Sequence, residues 1–245
     1  MLITWPRFFA GLLMLGVIVG GICFTWTNWT EVLIKKAISY PEGGAYHAQK
    51  ELMAIYPNNS NKIVLLGDSH LGLVHWNELL GRCDVLNRGI GGEVTTGALA
   101  RLDPIIALKP RLVVCQLGVN DIAGQGKTAQ QTWADYSVLL KRLKAAKIPI
   151  LLNTVPPMRY QLKFNPEIKA LNGQIKKWAN SNGTPCIDLA SLVSEDGVLK
   201  SELTYDGLHL NAAGYLVWKS ELAPQLPVEE QSLPANQDNE AEESR

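Results

Sequence analysis

No sign of charge is in excess along this chain: 23 basic and 23 acidic side chains leave its formal net charge at zero. A nucleic-acid binder neutralises phosphates with surplus Lys and Arg, so that class of partner is disfavoured. Cysteine is sparse, with four residues and no C-x-x-C pair, which removes a zinc knuckle and a thioredoxin-type centre. Charged residues are only 19% of a chain that is 47% apolar, a balance foreign to disordered chains and coiled coils. There is no internal repeat. What remains is enough apolar sequence to bury one substantial core.

The charge is unevenly placed. Residues 227–245 hold six acids (Glu229, Glu230, Asp238, Glu240, Glu242, Glu243) and one base, Arg245, with almost no large apolar residue. This stretch reads as an acidic disordered tail. At the other end, residues 8–26 read FFAGLLMLGVIVGGICFTW without a charge, between Trp5 and Trp29. As a helix, that run would be about 28 Å long, close to the hydrocarbon thickness of a bilayer. Aromatic flanks suit the headgroup region. A cleaved signal peptide is the rival, but its apolar stretch would be long and no A-x-A site follows. The expectation is a single-pass membrane anchor over 1–28 with an exported catalytic domain, or a secreted protein if the segment is removed. Residues 29–60 read as a linker with an amphipathic stretch and a helix near 45–56.

From residue 61 to 226 the pattern is regular. Apolar runs KIVLLGD, CDVLNRG, RLVVCQLG, IPILLNTV and PCIDLASLV alternate with helical segments, among them 128–147, 166–180 and 212–222. Short continuous runs of Val, Ile and Leu are what strands covered on both faces require. Alternating β and α predicts one α/β domain, a parallel sheet between two helical layers. Ligands in such sheets bind where the strands end.

The strand ends carry polar residues. The first run stops at Gly67-Asp68-Ser69, placing a hydroxyl at the sheet rim, although a serine there also serves as a helix N-cap. The second stops at Asn87-Arg88-Gly89-Ile90-Gly91-Gly92, where glycines allow close backbone approach or simply a tight turn. The third stops at Gly118-Val119-Asn120-Asp121, whose amide can face the same rim or cap a helix. Near the C-terminus, Asp206-Gly207-Leu208-His209 places a carboxylate three residues before a histidine. That spacing lets the acid accept from Nδ1 and leaves Nε2 as a base. Together the four blocks contain a nucleophile, a base, an orienting acid and oxyanion donors. The G-x-S-x-G turn is missing, since Leu71 stands two residues after Ser69.

In these blocks, GDSH, NRGIGG, GVND and DGLHLN, the sequence resembles the SGNH/GDSL hydrolases over about residues 62–224, with wording similar to the platelet-activating-factor acetylhydrolase type. The resemblance implies a flavodoxin-like three-layer α/β/α fold and ester hydrolysis with neither metal nor cofactor. It implies Ser69 as nucleophile, His209 as base and Asp206 as its partner. Backbone N–H groups of Ser69 and Gly92 and the Asn120 side chain would form the oxyanion hole. His70 departs from the Leu or Ile usual there, and Glu93 from an Asp. His209 is preferred over His70 as base because His70 has no comparably placed acid in the sequence. Pro157 and Arg159, in the loop after the fourth strand, join His70 and Glu93 as candidate substrate contacts. The expected substrate is a short-chain acyl ester, a small molecule, lipid or glycan. A membrane-anchored O-acyltransferase with the same triad, or a lysophospholipase, is the alternative.

Overall fold

The computed structural model describes residues 44–57 and 60–229. The apolar run at 8–26 and the acidic residues beyond 229 lie outside them. Among the described residues no helix is long and apolar enough to cross a membrane.

In chain order the elements begin with α1 (Gly44–Ile55), β1 (Ile63–Gly67), α2 (Ser69–Gly72), α3 (Trp76–Leu80) and β2 (Val85–Gly89). Next come α4 (Thr95–Ala100), α5 (Leu102–Ala107), β3 (Leu112–Gln116), α6 (Val119–Ala123), α7 (Ala129–Ala145) and β4 (Ile150–Asn153). The remainder is α8 (Asn165–Asn182), β5 (Cys186–Ile187), α9 (Leu189–Val193), a short β6–β7 hairpin (Ser194–Glu195, Val198–Leu199) and α10 (Ala212–Leu222). Strands β1 to β5 form one parallel sheet in the order β2-β1-β3-β4-β5, the flavodoxin-like arrangement.

Alternation along the strands divides the core. Val64 and Leu66 of β1 join Val113 and Cys115 of β3 against α4, α5, α7 and α8. Ile63 and Leu65 point the other way with Val114 and Leu151, onto Trp76 of α3, Leu189 of α9 and Trp218 of α10. Every residue of β1 and β3 is buried, which explains why both read as continuous apolar runs. The expected three layers are therefore present.

Local signals account for the helix ends. Thr128 and Gln131 form a reciprocal capping box at the start of α7. Helix α8 has Pro near its first turn and stops at Gly183 in the left-handed region. One run differs from expectation: PCIDLASLV is a strand only at Cys186–Ile187 and is helical from Leu189 to Val193. Asp188 causes the break, since its carboxylate accepts from Thr154 Oγ1 at 2.9 Å and Ser191 Oγ at 2.8 Å. The start of the acidic stretch is also held. Arg82 donates to the Pro227 carbonyl and Arg111 to that of Val228, both at 2.8 Å.

Strand β1 is flanked by β2 on one side and β3 on the other. The chain thus reverses its direction of sheet growth at β1, and a crevice opens above the carboxyl ends of these three strands. Ser69, Gly92 and Asn120 all follow those ends.

Candidate active site

Ser69 is the first residue of α2, directly after β1. Asp68 precedes it in extended conformation, and its side chain accepts from the His70 backbone N–H. The turn is crowded: a Cβ on Gly67 would sit 2.4 Å from the Gln116 carbonyl, and one on Gly89 would sit 2.5 Å from Gly72 N. Glycine at both places lets β1, α2 and β2 approach closely enough to present Ser69 at the rim.

The C-terminal loop brings His209 to the serine. His209 Nε2 is 2.8 Å from Ser69 Oγ, and His209 Nδ1 is 2.6 Å from Asp206 Oδ2. The other Asp206 oxygen accepts backbone N–H groups of Leu208 and His209 at 2.9 and 2.7 Å. Burial pushes the Asp206 carboxyl up, but these donors outweigh it and hold it below the ordinary carboxylate range. Gly207 has φ +82°, which favours glycine, and the Tyr160 ring fills the space where a Cβ would stand. Thr204 Oγ1 closes the loop by donating to the His209 carbonyl at 2.6 Å. Tyr205 stacks on the His209 ring at 5.8 Å between centroids.

A cavity of about 430 Å³ is lined by Ser69 and His209 together with Gly91, Gly92 and Asn120. Asn120 Nδ2 donates to the Glu93 carbonyl at 3.0 Å. Because that carbonyl can only accept, it fixes the amide with nitrogen inward and leaves a second N–H for the cavity. Gly92 has φ +75°, so the backbone of the loop after β2 can turn inward. Asp121 braces the Asn120 turn: its Oδ2 accepts Thr95 N and Oγ1 at 2.9 and 3.0 Å.

Of the candidate substrate contacts, His70, Glu93, Pro157 and Arg159 are absent from the residues lining this cavity. His70 is fully buried and has an acid partner after all, since its Nδ1 is 3.2 Å from Asp68 Oδ1. Sequence spacing could not show this pairing, because residues two apart meet only through a particular turn. His70 Nε2 faces the Leu208 carbonyl at 3.1 Å and does not face Ser69. Glu93 is fully buried beneath the cavity and accepts Arg101 Nε at 2.6 Å and the Tyr46 hydroxyl at 3.1 Å. Pro157 instead lines a separate groove beside α8. Arg159 is spent on the Leu199 carbonyl at 3.2 Å.

Residues that the sequence did not single out form the remaining wall. Ala45, Tyr46 and Gln49 of α1, with Gly72, Leu73, Tyr205 and Leu208, complete the lining. Leu208 sits inside the Asp206–His209 block and Tyr205 directly before it; the others carried no signal. Among the described residues, no three His, Cys, Asp or Glu side chains are grouped as metal ligands.

A family model described as the GDSL-like lipase/acylhydrolase family matches residues 67–217. The alpha1 subunit of platelet-activating factor acetylhydrolase IB from Bos taurus is 27% identical over 168 residues, covering 63% of this chain and 70% of its own. An isoamyl acetate-hydrolyzing esterase 1 homolog from Mus musculus is 27% identical over 209 residues, covering 71% and 84%. Among solved structures, a GDSL-like lipase from Bacteroides thetaiotaomicron shares the fold with a TM-score of 0.62 at 24% identity, over 71% of this chain and 93% of that one.

Proposed function

The chain belongs to the GDSL-like lipase/acylhydrolase family and is a hydrolase acting on ester bonds, and from that premise we propose that it cleaves a short-chain acyl ester with Ser69 as nucleophile. The observation that carries this reading is the unbroken line Ser69 Oγ, His209 Nε2, His209 Nδ1, Asp206 Oδ2, with contacts of 2.8 and 2.6 Å. Asp206 accepts the Nδ1 proton and so presents the Nε2 lone pair to the hydroxyl.

In the forward step His209 takes the Ser69 proton as Oγ bonds to the ester carbonyl carbon. The carbonyl electron pair moves onto oxygen. Backbone N–H groups of Ser69 and Gly92 and the free Asn120 N–H meet that oxyanion. His209 then protonates the departing alcohol as the C–O bond breaks, leaving an acyl-serine. Water repeats the sequence: it loses a proton to His209, attacks the acyl carbon, and the Ser69 Oγ leaves and is reprotonated.

Short acyl groups are supported by the cavity. At about 430 Å³ it stands at the small end of ligand sites, and its walls include Ala45, Gly72, Gly91 and Gly92. The names of both relatives refer to acetyl or acetate esters, which accords with that size. The uncharged run at 8–26 supports an anchor that would hold the domain at a membrane face, a placement that protease digestion of intact spheroplasts can test.

The test of the activity is hydrolysis of p-nitrophenyl acetate, butyrate, octanoate and palmitate by wild type and Ser69→Ala. Serine-dependent turnover that falls with chain length is expected. Equal rates for the two proteins would sink the assignment of Ser69. A rate that rises with length would overturn the short-chain reading.

A further inference from the structure

His70 is a buried titratable group beside the site that ester cleavage does not use. A neutral imidazole has one donor nitrogen and one acceptor nitrogen. Here both nitrogens face acceptors. Nε2 meets the Leu208 carbonyl at 3.1 Å, and a carbonyl oxygen can only accept. Nδ1 meets Asp68 Oδ1 at 3.2 Å, an oxygen that already accepts the His70 backbone N–H at 2.9 Å. Oδ1 therefore faces the ring as an acceptor, while the other Asp68 oxygen, Oδ2, is buried with no hydrogen-bond partner among the described residues. Both ring nitrogens therefore need a hydrogen.

We infer that His70 is held as an imidazolium paired with Asp68, and that it is a positioning residue which pins the Leu208 carbonyl and with it the segment carrying Asp206 and His209. Both side chains are wholly buried, so water does not compete for the bond to Leu208. Leu208 lies between the acid and the base of the proposed triad, and a peptide rotation there would displace both. Misplacement of reacting groups by about 1 Å can cost on the order of 100-fold in rate.

The surroundings agree. Burial pushes the His70 ring down, but the Asp68 hydrogen bond and charge, the Leu208 carbonyl and the Asp206 charge raise it, and the net direction is up. The facing groups come from three elements. Asp68 belongs to the β1 end. Asp206 and His209 belong to the C-terminal loop, the His209 ring centroid being 5.5 Å away. Tyr215 of α10 donates its hydroxyl to the His70 carbonyl at 2.9 Å. Each imidazole thus has its own carboxylate, Asp206 for His209 and Asp68 for His70. The His70 charge stays balanced by Asp68 while His209 gains and loses its proton.

The role of His70 rests on His209 being the base, but its ionisation does not, and the experiment separates the two. Full-length protein labelled with ¹⁵N-histidine, in detergent micelles at pH 7.5, is expected to show a His70 ring with both nitrogens protonated. That signal should vanish in His70→Gln, or in His70→Asn where the glutamine variant does not fold. A His70 ring with one bare nitrogen at pH 7.5 would overturn the inference. In parallel, His70→Gln keeps a donor within reach of Leu208 but loses the charge. On p-nitrophenyl acetate its kcat should fall about 10-fold with KM within about twofold, a loss within the range for disturbed positioning. Wild type should also show an alkaline decline in kcat that the variant lacks, as His70 gives up its proton. Superimposable pH profiles would leave His70 a packing residue only. A doubly protonated His70 in a protein without esterase activity would refute the proposed function and not the ionisation.

Discussion

The hydroxyl of Tyr46 on α1 donates to Oε1 of Glu93, the residue directly after Gly92, at 3.1 Å. This bond ties a helix that precedes the sheet to the loop whose backbone faces the cavity. Glu93 uses its other oxygen for Arg101 at 2.6 Å, and Arg101 in turn donates to the Arg88 carbonyl at 2.7 Å. The loop after β2 is therefore held from below by a buried chain of four residues.

Tyr46→Phe removes one of the donors to a fully buried carboxylate. Loss of a hydrogen bond to such a group costs about 1–3 kcal/mol, so the midpoint of urea unfolding should drop measurably. Activity on short esters should fall as well, because the Gly92 loop loses its brace to the α1 wall. An unchanged midpoint would mean that the phenol contributes no net stability.

Ser69→Ala should reduce esterase activity to background, and a serine-reactive fluorophosphonate should then fail to label the protein. Asn120→Ala retains the nucleophile and loses one oxyanion donor, so kcat should fall about 100- to 1,000-fold while labelling persists at a slower rate. Loss of labelling in folded Asn120→Ala would instead point to a collapsed site.

Asp206→Asn keeps the shape of the loop but favours the wrong His209 tautomer. A fall in kcat of about 10,000-fold is expected, with KM little changed. Steady-state kinetics on p-nitrophenyl acetate read this directly. A decrease of less than tenfold would show that the 2.6 Å contact between Asp206 and His209 is dispensable.

Two paired groups give stability of opposite pH dependence. The folded His70 pKa lies above its ordinary 6.5, so its contribution is complete below pH 6.5 and is lost as pH rises through the folded value. Denaturant unfolding across pH 6 to 10 should therefore show the gap between wild type and His70→Leu narrowing toward alkaline pH. The folded Asp206 pKa lies below its ordinary 3.8, so its contribution is present above pH 3.8 and is lost as pH falls through the folded value. The gap between wild type and Asp206→Asn should close in acid. Gaps that widen in these directions would reverse the assigned shifts.

Much of the site was legible because its parts are local. Gly67-Asp68-Ser69, Gly91-Gly92, Gly118-Val119-Asn120 and Asp206-Gly207-Leu208-His209 are each contained in a single turn, and residue type within a turn limits what it can present. The long helices were legible for the same reason, since caps such as Thr128 and Gly183 act within one turn of helix. The His70 partner was misread. Asp68 is only two residues away, yet their contact depends on the N-cap geometry at Asp68 and on the complete burial of both side chains. Pro157 and Arg159 were drawn to the site by the loop they share. The structure turns one into a groove beside α8 and the other toward Leu199.

By itself the sequence determined the alternation of strands and helices, the four polar blocks at their ends and the residue types within them. Those features follow from hydrophobic periodicity and turn chemistry, which act over a few residues. Tertiary structure decided the strand order, because uniformly apolar buried strands carry no mark of their neighbours and parallel partners are joined only through crossovers. It also decided that α1 walls the cavity, that Glu93 lies beneath it, and that His70 faces Leu208 while His209 faces Ser69. Each of these is a contact across tens of residues or more, set by which faces pack together once the core closes.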